Sequence, residues 1–364
     1  MRIIRNYILK EVIGTFLLSV IVFTFVLLIG NIVKIADLVI NKGVDLISIS
    51  KMLLCLAPYL LSFTMPMALL TATLLTFGRL SGDSEIIAMR ASGISLYQIA
   101  FPAVLLGLIF SLLSIPLNDT LLPNAHFLSR RMVKEIGMRR PTAYLEEGTF
   151  VRGFGNFVMF IYQINKNRLK NIRIYQPQEG GPTRTVIAES GVITPHPETS
   201  TVELNLYNGT SEEPSPVDPS IFYKLNFKNY TMTLDLSKQI QSDRIQKKTK
   251  EMTIKELQKE IEKNKRESID SVPLFTEIHK KISLSFSSLI FVLIGIPLGI
   301  VSHRSEKSVG FGISLILFLL YWGLLLGGTA LAYQGTVPPW LGVWISNIVF
   351  FVLGAFLFFR TAVR

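Results

Sequence analysis

Residues 79–96, RLSGDSEIIAMRASGISL, form a polar island between two long uncharged runs, 52–78 and 94–117. Each run exceeds the roughly 20 residues that cross a bilayer as a helix, so the island is a loop between two spans. Asp83 or Ser84 can cap a short helix, and Glu85 falls in its first turn, where the helix dipole favours an anion. Gly93 can end that helix and Ser95 can start the next span, which predicts a loop helix at about 82–92. Glu85 and Met89, four apart and beside Ile86, share one face, a mixed acidic and apolar surface suited to a partner's groove. Arg90 closes the segment. The same spacing equally describes a helix lying on the membrane surface and linking two spans.

Composition sets the class. Of 364 residues 49% are hydrophobic and 17% charged, proportions that exclude an ordinary soluble domain and indicate an integral membrane protein. Cys55, inside a candidate span, is the one cysteine, so no intrachain disulfide and no cysteine metal site can form. The charged N-terminus followed by an apolar run resembles a signal peptide, but the run is long and lacks a small-residue cleavage site. It predicts a retained first span. The net charge of +11 is shared, with 25 Lys+Arg against 19 Asp+Glu over residues 123–281 and 12 against 7 elsewhere. No basic patch of the nucleic-acid type stands out, so no nucleic-acid partner is expected.

Six runs reach spanning length without any Asp, Glu, Lys or Arg: 12–33, 52–78, 94–117, 282–302, 309–333 and 337–359. An N-terminus inside the cell gives the cytoplasm Arg2, Arg5, Lys10, Arg79, Arg90, Arg304, Lys307, Arg360 and Arg364, and leaves Lys34, Lys42 and Lys51 outside. Both termini and the 79–96 loop are then cytoplasmic by the positive-inside rule. Pro58, Pro66, Pro102 and Pro116 kink their helices or tune packing, and the Gly295, Pro297 and Gly299 cluster is the candidate hinge. Lys34 sits within a turn of the outer end of the first span. There a cation can meet lipid phosphates or can snorkel as an anchor.

Between the third and fourth spans, Val202, Leu204 and Leu206, then Tyr223, Leu225 and Phe227, then Tyr230, Met232 and Leu234 alternate with polar residues. Period two bounded by turn clusters predicts an all-β domain over about 143–236, closing as a sandwich or jelly roll. Residues 238–266 are dense in charge, with Ile254, Leu257 and Ile261 at helical spacing behind a Thr253 and Glu256 capping box. This is an exposed return helix. The expected fold class is therefore membrane α-helical, with six transmembrane helices and an inserted periplasmic all-β jelly-roll-like domain. Its parts are 1–122, 123–270 and 271–364.

No phosphate-binding loop occurs, so ATP hydrolysis is not expected of this chain, and His126, His196, His279 and His303 lack metal-ligand spacing. No resident cofactor is expected. Asn208-Gly-Thr and Asn229-Tyr-Thr match the glycosylation tripeptide, which arises often by chance.

The loop 78–94, the Asn31-Ile-Val-Lys34 end of the first span, Val186-Ile-Ala-Glu-Ser-Gly191, Met252-Thr-Ile-Lys-Glu-Leu257, His279-Lys-Lys281 and the Gly-Ile-Pro-Leu-Gly run at 295–299 together resemble the LptF/LptG permease family. The resemblance spans essentially the whole chain, and the loop is its most specific part. It implies a permease subunit of an ATP-driven lipopolysaccharide exporter in the bacterial inner membrane, paired with a second LptF/LptG-type subunit. It implies a cytoplasmic LptB-type ABC ATPase dimer that binds the ATP and docks through the loop helix, at Asp83, Ser84, Glu85, Ile86, Met89 and Arg90. It further implies LptC/LptA-type bridge proteins that accept the lipid from the β domain, apolar walls from spans one and five, and Lys34 facing lipid phosphates. Gly78-Arg-Leu-Ser leans to the F paralogue, while Arg90 and the charged 238–266 stretch are departures from the pattern.

Two other classes compete. An ion-coupled secondary transporter would need intramembrane carboxylates, which the six runs lack. A membrane-anchored periplasmic scaffold would need no structured cytoplasmic loop helix.

Overall fold

The computed structural model describes residues 2–40, 45–139, 147–154, 157–165, 168–178, 181–196, 201–214, 222–235, 247–267, 269–302 and 307–363. Helices α1 (Arg2–Ile40), α2 (Leu46–Gly82), α3 (Glu85–Ala91) and α4 (Leu96–Pro116) come first. A π-helical turn (Leu117–Leu121) leads into α5 (Leu122–Arg139), followed by strands β1 (Phe150–Phe154), β2 (Phe157–Asn165), β3 (Arg168–Gln178), β4 (Gly181–His196), β5 (Thr201–Pro214) and β6 (Phe222–Asp235). A single 3-10 turn (Thr249–Glu251) precedes α6 (Ile254–Arg266), α7 (Val272–Ser302), α8 (Lys307–Tyr333) and α9 (Pro339–Val363).

Among the described residues six helices are long and apolar enough to cross a membrane, as the charge-free runs predicted. They run past those runs. The third extends over Leu96–Val133 and the fourth over Val272–Val301, which brings Asp119 and Glu277 within the bounds of those helices.

Helix α7 is the centre of the helical unit, with 67% of its most apolar window buried against 17% for α8. Its small residues explain this. A Cβ on Gly299 would stand 2.9 Å from the Leu74 carbonyl oxygen, and one on Gly295 would collide with the Thr73 hydroxyl, so α7 and α2 meet backbone to backbone. The cluster expected to hinge is, in the folded chain, a close helix crossing with Pro297 inside a continuous helix. Buried hydroxyls and an amide add polar ties. Ser81 donates to the Ile300 carbonyl at 2.8 Å, Thr71 to Ser314 at 2.9 Å, and Asn347 to the Ser283 carbonyl at 2.9 Å while accepting from Tyr321. In lipid, where tails are as apolar as leucine, such packing and hydrogen bonds hold helices together better than apolar burial does. Helix α1 instead leaves Leu17, Leu18, Ile21 and Phe25 exposed.

The six strands form one antiparallel sheet in sequential order, β1 to β6. Period two holds only piecewise. Buried positions pass from Met159 and Ile161 to partly buried Ile164 on β2, from Leu169 to Ile172 on β3, from Ala188 to Gly191 on β4, and from Leu206 to Ser211 on β5. These changes of parity lie in line across the sheet. Asn171 and Asn208 sit on that line with φ of 52° and 50°, a left-handed conformation that asparagine tolerates better than branched residues. The sheet bends there, and inward side chains from both sides of the bend form one core of Met159, Ile161, Ile172, Ile174, Val186, Val202, Leu204 and Leu206, among others. The inserted β domain is thus a creased six-stranded meander.

The chain divides into a helical unit of Met1–Asn31, Leu53–Phe127 and Lys247–Arg364, and a second unit of Ile32–Met52 and Leu128–Gln246 that contains the sheet. The charged return segment, from Lys247 on, groups with the helical unit.

Candidate functional site

Helix α3 forms where the sequence placed it, and its ends are built differently. Ser84 occupies the N-cap position in a left-handed conformation, φ 61°, and its side chain caps nothing. Asp83 does not cap either, because its carboxylate accepts from Arg79 at 3.1 Å. The C-terminus is a Schellman turn, in which the amides of Gly93 (φ 85°) and Ile94 donate to the carbonyls of Arg90 at 2.9 Å and Met89 at 3.1 Å. Ser95 then starts α4 with a capping box to Gln98.

One guanidinium holds α3 to two other helices. Arg79, near the end of α2, donates through Nε to Glu11 at 3.0 Å, through Nη1 to Glu85 at 3.0 Å and through Nη2 to the Tyr7 hydroxyl at 2.9 Å. Tyr7 donates in turn to Glu85 Oε2 at 2.9 Å. Its hydroxyl therefore accepts from arginine and passes its own proton to the carboxylate, a charge-assisted chain linking α1, α2 and α3. At the other end of α3, Arg90 Nη2 donates to the Ala362 carbonyl at 3.3 Å, satisfying an end carbonyl of α9.

Of the expected docking residues, Glu85, Ile86 and Met89 all face the chain's own helices. Ile86 is 3% exposed and packs in one core with Ile8, Val12, Leu80 and Leu96, and Met89 packs against that core. These apolar side chains seat α3 on its own chain. The outward face is Ile87, 61% exposed, flanked by exposed Ala88 and Ala91. Sequence reasoning missed Tyr7, Glu11 and Ile87, and took Arg79 only as a loop boundary. The spacing of four between Arg79 and Asp83 was the one signal available.

A second polar cluster sits toward the start of α7. From Lys281 to Ile300, beside which α2 ends, is 19 helical residues, or roughly 30 Å, the thickness of a bilayer's hydrocarbon core. Lys281, 6% exposed, donates to the Met252 carbonyl at 2.7 Å and the Asn118 carbonyl at 3.4 Å. Asp119, in the π-helical turn, accepts the Ile254 amide at 2.6 Å and so caps the first residue of α6. The Thr253 and Glu256 capping box completes that N-terminus. Partial burial pushes the Glu256 carboxyl up, but the Lys247 ammonium at 2.7 Å and the Thr253 amide outweigh it and hold the group below its ordinary value. Leu257 is fully buried. Helix α6 is therefore fastened to the π-helical turn and to α7, and its charged outer face is solvated.

Lys34 lies within α1, and its side chain falls outside the described residues. No cluster of His, Cys, Asp or Glu able to hold a metal occurs among the described residues.

A sequence model of the lipopolysaccharide export system permease LptF/LptG matches residues 6–360. The lipopolysaccharide export system permease protein LptF of Escherichia coli K12 is 21% identical over 358 residues, covering 98% of this chain and 94% of that protein. The protein RP871 of Rickettsia prowazekii is 25% identical over 206 residues, 56% of this chain and 57% of its own length. With a match over nearly its entire length, six apolar helices and an inserted antiparallel sheet, the chain belongs to the LptF/LptG permease family.

Proposed function

We propose that this chain is a transmembrane permease subunit that extracts lipopolysaccharide from the inner membrane and hands it to its periplasmic β domain. The energy comes from ATP hydrolysed by a separate cytoplasmic ABC ATPase dimer that docks on α3. The observation carrying the proposal is α3 itself: a short helix tied to α1, α2 and α9, with an apolar outward face centred on Ile87. A helix fixed on three sides and open on the fourth suits the passage of force from a docked partner into the spans. The cation distribution supports a topology with α3 and both termini in the cytoplasm and the sheet in the periplasm. The second subunit is a paralogue of the same family, and the β domain passes lipid to bridge proteins of like fold. Lys34 contacts the lipid phosphates at the rim.

The test is reconstitution. Chain, paralogue and ATPase are placed in proteoliposomes containing lipopolysaccharide, and transfer to a soluble β-fold acceptor is followed with and without ATP. ATP-dependent transfer is expected. Transfer that follows an ion gradient without the ATPase, or that carries only bulk phospholipid, would overturn the proposal. Photo-crosslinking from position 34 should capture lipopolysaccharide, and capture of phospholipid alone returns Lys34 to an anchoring role.

A further inference from the structure

We infer that Arg79 is the positioning residue through which a movement of α3 is delivered to α1. The inference rests on the docking of an ATPase at α3. No backbone continuity joins α3 to α1, which is 78 residues from Glu85 at Tyr7. Two contacts bridge them. One is apolar, Ile86 and Met89 on the shared core, and an apolar contact resists separation but is weakly directional. The other is the polar joint, in which a planar guanidinium donates simultaneously to Glu11 and Tyr7 on α1, to Asp83 beyond α2 and to Glu85 on α3. Its donors leave the guanidinium in fixed directions, so it sets the angle as well as the distance between helices. Lysine carries the same charge on a rotatable ammonium with three donors and cannot reproduce that fork.

The joint also changes the meaning of Glu85. Its carboxylate is engaged by Arg79 and Tyr7 within the chain, so Glu85 belongs to the inner side of the coupling helix and Ile87 to the outer. Arg79 and Ile87 are thus separable: one should govern transmission, the other docking.

The experiment compares Arg79→Lys, Arg79→Gln and Tyr7→Phe with the parent chain in the assembled complex. Three readouts are taken: ATPase retained on purification, ATP turnover, and lipopolysaccharide released per ATP. A fourth is the distance distribution between spin labels at the exposed positions 3 and 92. Arg79→Lys should retain the ATPase and its turnover, broaden the label distribution, and lower release per ATP roughly fivefold or more, the scale of ordinary coupling free energies. Tyr7→Phe should do the same more weakly. Unchanged release per ATP and an unchanged distribution in Arg79→Lys would overturn the inference. Loss of the ATPase in Arg79→Lys would overturn it too, by making Arg79 a docking residue. Where Arg79→Gln fails to accumulate, Arg79→Lys and Tyr7→Phe decide. Absence of release in the parent complex counts against the exporter proposal instead, and the label distances still test the joint.

Discussion

Truncating Ile87 to alanine separates docking from folding. Ile87 is 61% exposed and Ile86 beside it 3%, so adjacent isoleucines face opposite ways. Removing three carbons at about 0.8 kcal/mol each gives ~2.4 kcal/mol for complete burial. About three-fifths of that surface is free to be buried by a partner, which leaves ~1.5 kcal/mol, or roughly tenfold in affinity. The internal cost should stay within about 0.5 kcal/mol, as for other surface positions. Ile86→Ala should instead destabilise the chain by about 2–5 kcal/mol through the cavity it leaves. Titrating purified ATPase against the nanodisc-embedded complex, with thermal unfolding alongside, measures both. Ile87→Ala bound within twofold of the parent, with unfolding unchanged, would refute the assignment of the outward face.

Gly299→Val places a branched side chain against the α2 backbone near the Leu74 carbonyl and should cost about 1–3 kcal/mol, seen as a lower unfolding temperature in detergent. Asp119→Asn weakens the cap on Ile254 by about 1 kcal/mol and should raise tryptic cleavage at Lys255 and Lys259 several-fold while the helices stay inserted. The depressed Glu256 carboxyl gives α6 a stabilisation that is complete above pH 4.5, its ordinary value, and is lost as pH falls through the lower folded value. Amide exchange across α6 should therefore quicken only in acid, and Glu256→Gln should flatten that dependence. Asn171→Val forces a branched residue into a left-handed conformation and should cost about 1–2 kcal/mol, measured as faster amide exchange in β3 and β4.

The spans were legible because burial in lipid demands uninterrupted apolar runs, a constraint written locally in the chain. The loop helix was legible from Gly93 and Ser95, which act on their own neighbours. Its orientation was not. Ile86 and Ile87 look alike in sequence, and the residues that choose between them, Ile8 and Val12, come from another helix. Arg79 finds Tyr7 and Glu11 at separations of 72 and 68 residues, which no spacing rule reaches. The crease escaped notice because each of its two asparagines looks like an ordinary strand residue until the register aligns them. The charged return segment read as solvated because Leu257 is a single buried residue among lysines and glutamates, and its anchor, Asp119, lies 135 residues away from Ile254.

The order in which the chain is synthesised gives the sequential sheet a further consequence. Each strand pairs only with its neighbour in sequence, so the meander can close as soon as residue 235 emerges. The helical unit cannot, because its central member α7 begins at Val272, after α1, α2 and α4 have already entered the membrane. For some 150 residues of translation, the faces of α2 and α4 that will receive Gly295, Gly299 and Val292 have no helix against them. Their hydroxyls Thr71 and Thr73 meanwhile bond back to Met67 and Leu69 in their own helix, which lets α2 wait in lipid without an unsatisfied donor. The β insert thus separates two batches of helices along the chain, and the seam around α7 can form only once the second batch has been made.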